Sequence, residues 1–168
     1  MSRAFVKGAD EEPDDDLPER PLSPHPNYVT PAGHAQLQAR VHDLQQARDR
    51  LSAEEDDPLA KQKLREVKRD LRYFQARLDS AIRVNGAAQP RDEVHFGAVV
   101  AVGCEDGQRR EFSIVGEDEA DVVSGKISWA SPLGKSMIGS KVGDTVVWQR
   151  PAGETELEIV SIRYPESR

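Results

Sequence analysis

From residue 31 onward, apolar side chains recur at three- and four-residue intervals. Leu37, Val41, Leu44 and Leu51 form one series; Leu64, Val67, Leu71, Phe74, Leu78 and Ile82 form a second. That alternation is the seam of a coiled coil, so each series predicts a helix with one apolar stripe. Neither helix can bury its stripe alone, and each therefore covers the other. Facing residues of an antiparallel hairpin share a nearly constant index sum. Leu37 with Leu78, Val41 with Phe74, Leu44 with Leu71 and Leu51 with Leu64 all give 115. Half of that places the turn between Asp57 and Pro58, where proline disfavours continued helix. Thr30-Pro31 opens the first arm as N-cap and first helical residue. Asn85-Gly86 is expected to close the second, because glycine tolerates the left-handed position after a helix. Arms of roughly 22 residues, at ~1.5 Å per residue, are each ~33 Å long.

Beyond Gly86 the period shortens to two. Val94 to Cys104 reads as a β run, Glu105-Asp106-Gly107 as a hairpin turn and Arg110 to Val115 as the return strand. Glu117-Asp118-Glu119-Ala120-Asp121 reads as an acidic loop and Lys126 to Trp129 as a short strand. Ser131-Pro132 opens a short helix through Ile138, followed by strands at Thr145–Gln149 and Glu156–Tyr164. The predicted fold class is α+β with two domains: a helical hairpin over residues 29–84 and a small antiparallel sheet with one short helix over 85–168. Residues 1–28 hold Pro13, Pro18, Pro21, Pro24 and Pro26 around Asp14-Asp15-Asp16. Too little there is apolar to build a core, and the stretch reads as a disordered acidic tail.

Composition narrows the function classes. Of 168 residues 37% are apolar and 32% charged, and no 18-residue apolar window exists, which excludes a helical membrane span. From the acidic start no secretory signal is expected, and a lone cysteine, Cys104, excludes an internal disulfide; a reducing cytoplasm is expected. No P-loop, Gly-x-Ser-x-Gly or Cys-x-x-Cys occurs, and His25, His34, His42 and His95 include no i,i+4 pair. Catalysis by this chain alone is therefore not expected.

Charge is unevenly spread. Residues 1–28 carry −4, residues 29–84 carry +2 and residues 85–168 carry −5, for a net −7. Such a chain repels free duplex DNA, and only the middle segment suits nucleic acid held within a partner. At the hairpin apex, Glu54, Glu55, Asp56 and Asp57 gather four carboxylates. Mg²⁺ accepts one or two protein carboxylates and completes its shell with water and phosphate, so this apex can help to hold a divalent cation; it is also what a solvated turn looks like. Behind the apex the sign reverses. Arg48, Arg50, Lys61, Lys63, Arg65, Lys68, Arg69 and Arg72 make a stripe suited to a phosphate backbone or, equally, to ion pairs within the hairpin.

Several motifs then point to a family. Ile114-Val115-Gly116-Glu117-Asp118-Glu119-Ala120-Asp121, Gly125-Lys126-Ile127-Ser128, Ser131-Pro132-Leu133-Gly134-Lys135, Ile138-Gly139 and Lys141-Val142-Gly143-Asp144 resemble the C-terminal domain of the Gre transcript-cleavage factors. Thr30-Pro31-x-Gly33 resembles the opening of their coiled coil. The resemblance implies an FK506-binding-protein-like C-terminal domain docked on the rim of the RNA polymerase secondary channel, with Ser131, Pro132 and Leu133 as the docking surface. It further implies that the coiled coil enters the channel, where tip acids help polymerase hold a second Mg²⁺ for cleavage of backtracked RNA. The basic stripe would then meet the RNA 3′ region, and template nucleic acid only inside that complex. No stable cofactor, no membrane and a single copy of the chain are expected.

The family's tip motif, Gly-Asp-x-Ser-Glu-Asn-Ala-Glu-Tyr, is absent here, the hairpin is shorter and His34 replaces an apolar residue. Two regulatory readings stay open: cleavage stimulation, or occlusion of the channel in competition with a Gre factor. The regulator of nucleoside diphosphate kinase shares this C-terminal domain. Outside the class stand a prolyl isomerase, disfavoured by 5% aromatic content, and a helical adaptor, disfavoured because pairing consumes both apolar stripes.

Overall fold

The computed structural model describes residues 17–54 and 56–165, so the expected disorder of residues 1–16 lies outside the described residues, as does Glu55. Two compact units result. Among the described residues, one contains 17–22 and 40–76, the other 23–39 and 77–165.

In the first unit run most of helix α1 (Pro31–Ser52) and helix α2 (Pro58–Ser80). Val41 and Leu44 of α1 are buried, while Leu64, Val67, Leu71 and Phe74 of α2 are half-buried. The Arg40 guanidinium lies 5.4 Å from the Phe74 ring centroid, an index sum of 114, which brings the two helices together within one position of the predicted register. The break falls earlier than expected. Five residues, 53–57, separate the helices, and Pro58 is the first residue of α2 instead of the middle of the turn. At that position its missing N–H costs nothing, because no intrahelical acceptor is available. Asp57 is the N-cap: its carboxylate accepts the Leu59 N–H at 2.9 Å and its carbonyl accepts the Lys61 N–H at 3.0 Å.

The second unit opens with β1 (Tyr28–Val29), which pairs in parallel with β2 (Ile82–Arg83). That two-stranded element corrects two expectations. Helix α2 stops at Ser80, so Ile82 leaves the apolar stripe and is 48% exposed. Asn85 and Gly86 form no helix end; Asn85 caps a separate short turn at Gly86–Ala88, and Gly86 keeps a negative φ. The helix ends early because residue 27 captures its last turn. The Asn27 amide donates to the Arg77 carbonyl at 2.6 Å and to Ser80 Oγ at 3.3 Å, and the Ile82 N–H donates to the Asn27 carbonyl at 2.8 Å. Residues 23–28 thus belong to this unit and not to the tail.

The main sheet comprises β3 (Val99–Cys104), β4 (Arg109–Val115), β5 (Lys126–Ser128), β6 (Thr145–Arg150) and β7 (Gly153–Arg163), in the order β5-β4-β3-β7-β6. It is mixed where an antiparallel sheet was expected, because β4 and β5 run parallel. A parallel neighbour needs a crossover, and residues 116–125 supply it. Val94 and Ala98 are buried, but the strand starts only at Val99, after Gly97 turns the chain at φ +89°. Val100, Val102, Ile114, Leu157 and Ile159 line one face of the sheet with Met137 of α3 (Pro132–Met137), and all six are fully buried.

Beneath this core a polar cluster closes the unit. Arg77 is 3% exposed; its Nε donates to Asp118 at 2.6 Å, and Nη2 donates to Asn27 Oδ1 at 2.8 Å and to Glu117 at 3.3 Å. Thr30 Oγ donates to Glu119 at 2.5 Å while accepting the Gly33 N–H at 2.9 Å, which is the cap expected from Thr30-Pro31. Gly116 makes room: a Cβ there would overlap the Tyr28 carbonyl oxygen.

Replacing Arg77 with Met should lower stability by about 3–5 kcal/mol, because two carboxylates and an amide lose their buried partner. Urea unfolding of the variant against the native chain measures this. Leu71→Asp should melt the hairpin by placing a charge in its seam, at a local cost of about 2–4 kcal/mol. Both tryptophans, Trp129 and Trp148, lie in the second unit. Helical circular dichroism should therefore fall while tryptophan emission stays native.

Candidate functional site: the hairpin apex and its basic flank

Capping geometry divides the apical carboxylates. Asp57 spends one oxygen on the α2 N-cap. Glu54 and Asp56 are exposed, and among the described residues their carboxylates make no hydrogen bond or ion pair. The main chain around them is held, since Ala53 and Glu54 donate to the Arg50 and Leu51 carbonyls and Asp57 donates to Glu54. Two open carboxylates on a hydrogen-bonded turn fit what Mg²⁺ takes from protein when the other ligands come from elsewhere. They are not a metal site by themselves. Among the described residues no group of three His, Cys, Asp or Glu side chains is placed to hold an ion.

The basic stripe is partly neutralised. Asp70 accepts from Arg69 at 3.3 Å and from Arg20 at 3.4 Å, and Glu19 accepts from Arg72 at 2.5 and 3.0 Å. The Arg72 hydrogen bond holds the Glu19 carboxyl below its usual range, with the guanidinium charge adding to the effect. Arg48 bonds to its neighbour Asp49 at 3.3 Å. Arg50, Lys61 and Lys63 are exposed and Arg65 and Lys68 half-buried along the same helices. Sequence spacing identified the stripe but missed that residues 19 and 20 lie on it. Arg20 also stacks over the Tyr73 ring at 4.0 Å.

In the second unit the expected docking triad separates. Ser131 is the N-cap of α3, donating to the Ser128 carbonyl at 2.6 Å and accepting from the Gly134 N–H at 3.1 Å. Leu133 is 7% exposed and packs in the core, so it cannot present its side chain to a partner. Pro132 alone of the three is exposed. The Ser-Pro-Leu-Gly run is thus first a helix start, and Gly134 is required where the α3 backbone closes on the Ser128 carbonyl. The acidic motif at residues 117–119 is likewise the receptor for Arg77 and Thr30, a role its sequence did not reveal.

Comparison with known proteins agrees with these motifs. The family described as "Transcription elongation factor, GreA/GreB, C-term" matches residues 89–164. Transcription elongation factor GreB of Neisseria meningitidis serogroup B is 35% identical over 153 residues, covering 82% of this chain and 94% of that protein. Transcription elongation factor GreA of Alkalilimnicola ehrlichii is 36% identical over 129 residues, covering 76% and 78%. Among solved structures, GreA factor homolog 1 of Thermus thermophilus is 27% identical, with a TM-score of 0.39 over 83% of this chain and 99% of that one. With a relative this similar over nearly its whole length, the chain belongs to the GreA/GreB family of transcription elongation factors.

Proposed function

We propose that this protein regulates elongation by binding RNA polymerase at the rim of its secondary channel and presenting the hairpin apex to the polymerase active site. In this reading it is not an enzyme itself and acts in the cytoplasm as a single copy. The observation that carries it is the pair of open carboxylates, Glu54 and Asp56, at the end of two paired helices. A second Mg²⁺ shared with polymerase would activate water for hydrolysis of backtracked RNA. The part of this chain is to offer one or two carboxylate ligands from a held turn, and to meet the RNA 3′ region with the cationic side chains behind it. Exposed Pro132 and the outer face of α3 are the side that would dock.

A second reading, occlusion of the channel in competition with a Gre factor, is favoured by one observation. Asp57 is engaged in capping, so fewer acids are available at the apex than its composition suggests. The two readings separate in an RNA-cleavage assay on stalled, backtracked polymerase at fixed low Mg²⁺. Glu54→Ala/Asp56→Ala should abolish the acceleration, whereas Asp57→Asn, which preserves an N-cap acceptor, should keep most of it. If the native chain slows cleavage, and the double variant slows it equally, the protein occludes the channel. No acceleration, no slowing and no displacement of a Gre factor would overturn polymerase docking altogether.

A further inference from the structure

The outer face of the main sheet carries a cleft that packing leaves open. Strand alternation puts Val100 and Ile114 in the core, so their neighbours Val99, Ser113 and Val115 point the other way. Val99 is the cross-strand partner of Ser113, and Ser113 that of Lys126, which makes one row across β3, β4 and β5. Ala32 and Ala35 of α1, together with Val84, bound the far side of a space of about 440 Å³ over this row. Two alanines are too short to close it. An apolar space left unfilled forgoes the contacts that close packing gives, and this one has the size of a small-molecule site.

The polar groups at its edge are not equivalent. Glu119 is engaged, with both carboxylate oxygens within 3.0 Å of the Thr30 hydroxyl. Lys126 and Ser113 are half-buried, and among the described residues the ammonium and the hydroxyl make no hydrogen bond and the ammonium no ion pair. Asp121 does not answer the ammonium either. Its carboxyl is held below the usual range chiefly by the Ser124 hydroxyl, and the Lys126 charge is the smallest contribution. An ammonium beside a hydroxyl offers donors suited to a single carboxylate head. A polyphosphate is a poorer match, because Glu119 and Asp121 place negative charge around the same cleft.

We propose that this cleft binds a small amphipathic carboxylic acid, a medium-chain fatty acid being the simplest member. Its head would sit on Lys126 and Ser113 and its chain along Val99, Val115, Ala32 and Ala35. Every residue of the site belongs to the second unit, and nothing in the assignment depends on polymerase. Because α1 begins in the wall of the cleft, an occupied site ties the start of that helix to the sheet and stabilises the folded unit by mass action.

Octanoate is the probe, titrated into the full-length chain at constant ionic strength and followed in amide spectra. Saturable shifts are expected at residues 32–35, 97–99, 113–115 and 126. Octanol keeps the apolar chain and lacks the charge, and it should bind the native protein about tenfold more weakly than octanoate. Lys126→Gln should weaken octanoate by a similar factor and bind the two probes alike. Ala35 is exposed, so Ala35→Phe should fill the cleft and remove octanoate binding while the rest of the spectrum stays native. Shifts that are absent or lie away from the cleft, equal affinities of the native chain for octanoate and octanol, or full binding by Ala35→Phe would each overturn the proposal. A dimer that octanoate dissociates in sedimentation would assign the cleft to a second copy of the chain and overturn it as well.

Discussion

Arg77 is the group on which the second unit turns. A guanidinium at 3% exposure must have its charge and its donors answered, since an isolated buried cation is strongly unfavourable. The answers come from three separate stretches of chain: the amide oxygen of Asn27, the Glu117 carboxylate and the Asp118 carboxylate. A planar fork with several donors can meet all three together, which a lysine ammonium cannot match in geometry. Meeting them holds the segment before α1, the last turn of α2 and the crossover after β4 in one place. The parallel β1–β2 pair and the early end of α2 follow from that.

Seen this way, the acids of the chain fall into groups with different duties. Glu117, Asp118 and Glu119 are consumed by Arg77 and Thr30, and they define where the α1 start is held. Asp57 and Asp70 are consumed within the hairpin, one as a cap and one by two arginines. Glu54 and Asp56 are left open at the apex. Substituting the open pair removes no contact that the described fold uses.

The same division applies to the cations. Arg77 is structural, and Arg69 and Arg72 are tied to carboxylates, whereas Lys61 and Lys63 are exposed near the apex. The reach of these exposed charges depends on ionic strength, because they interact over roughly a Debye length.

Much of this was readable without coordinates. The 3-and-4 spacing announced two helices, each with one apolar stripe, because helix geometry repeats every turn and seam contacts are local in period. Alternation and turn residues determined the strands from Val99 to Arg163 to within a few positions, and Thr30, Ser131 and Pro132 announced two helix starts. Tertiary structure alone decided the rest. That Asn27 ends α2, that β5 lies parallel to β4, that Leu133 is core, and that residues 117–119 serve Arg77 all involve partners tens of residues apart. No periodicity in a sequence encodes such pairings. They are selected by the need to satisfy buried charges and backbone groups at once, and that need exists only when the chain has folded.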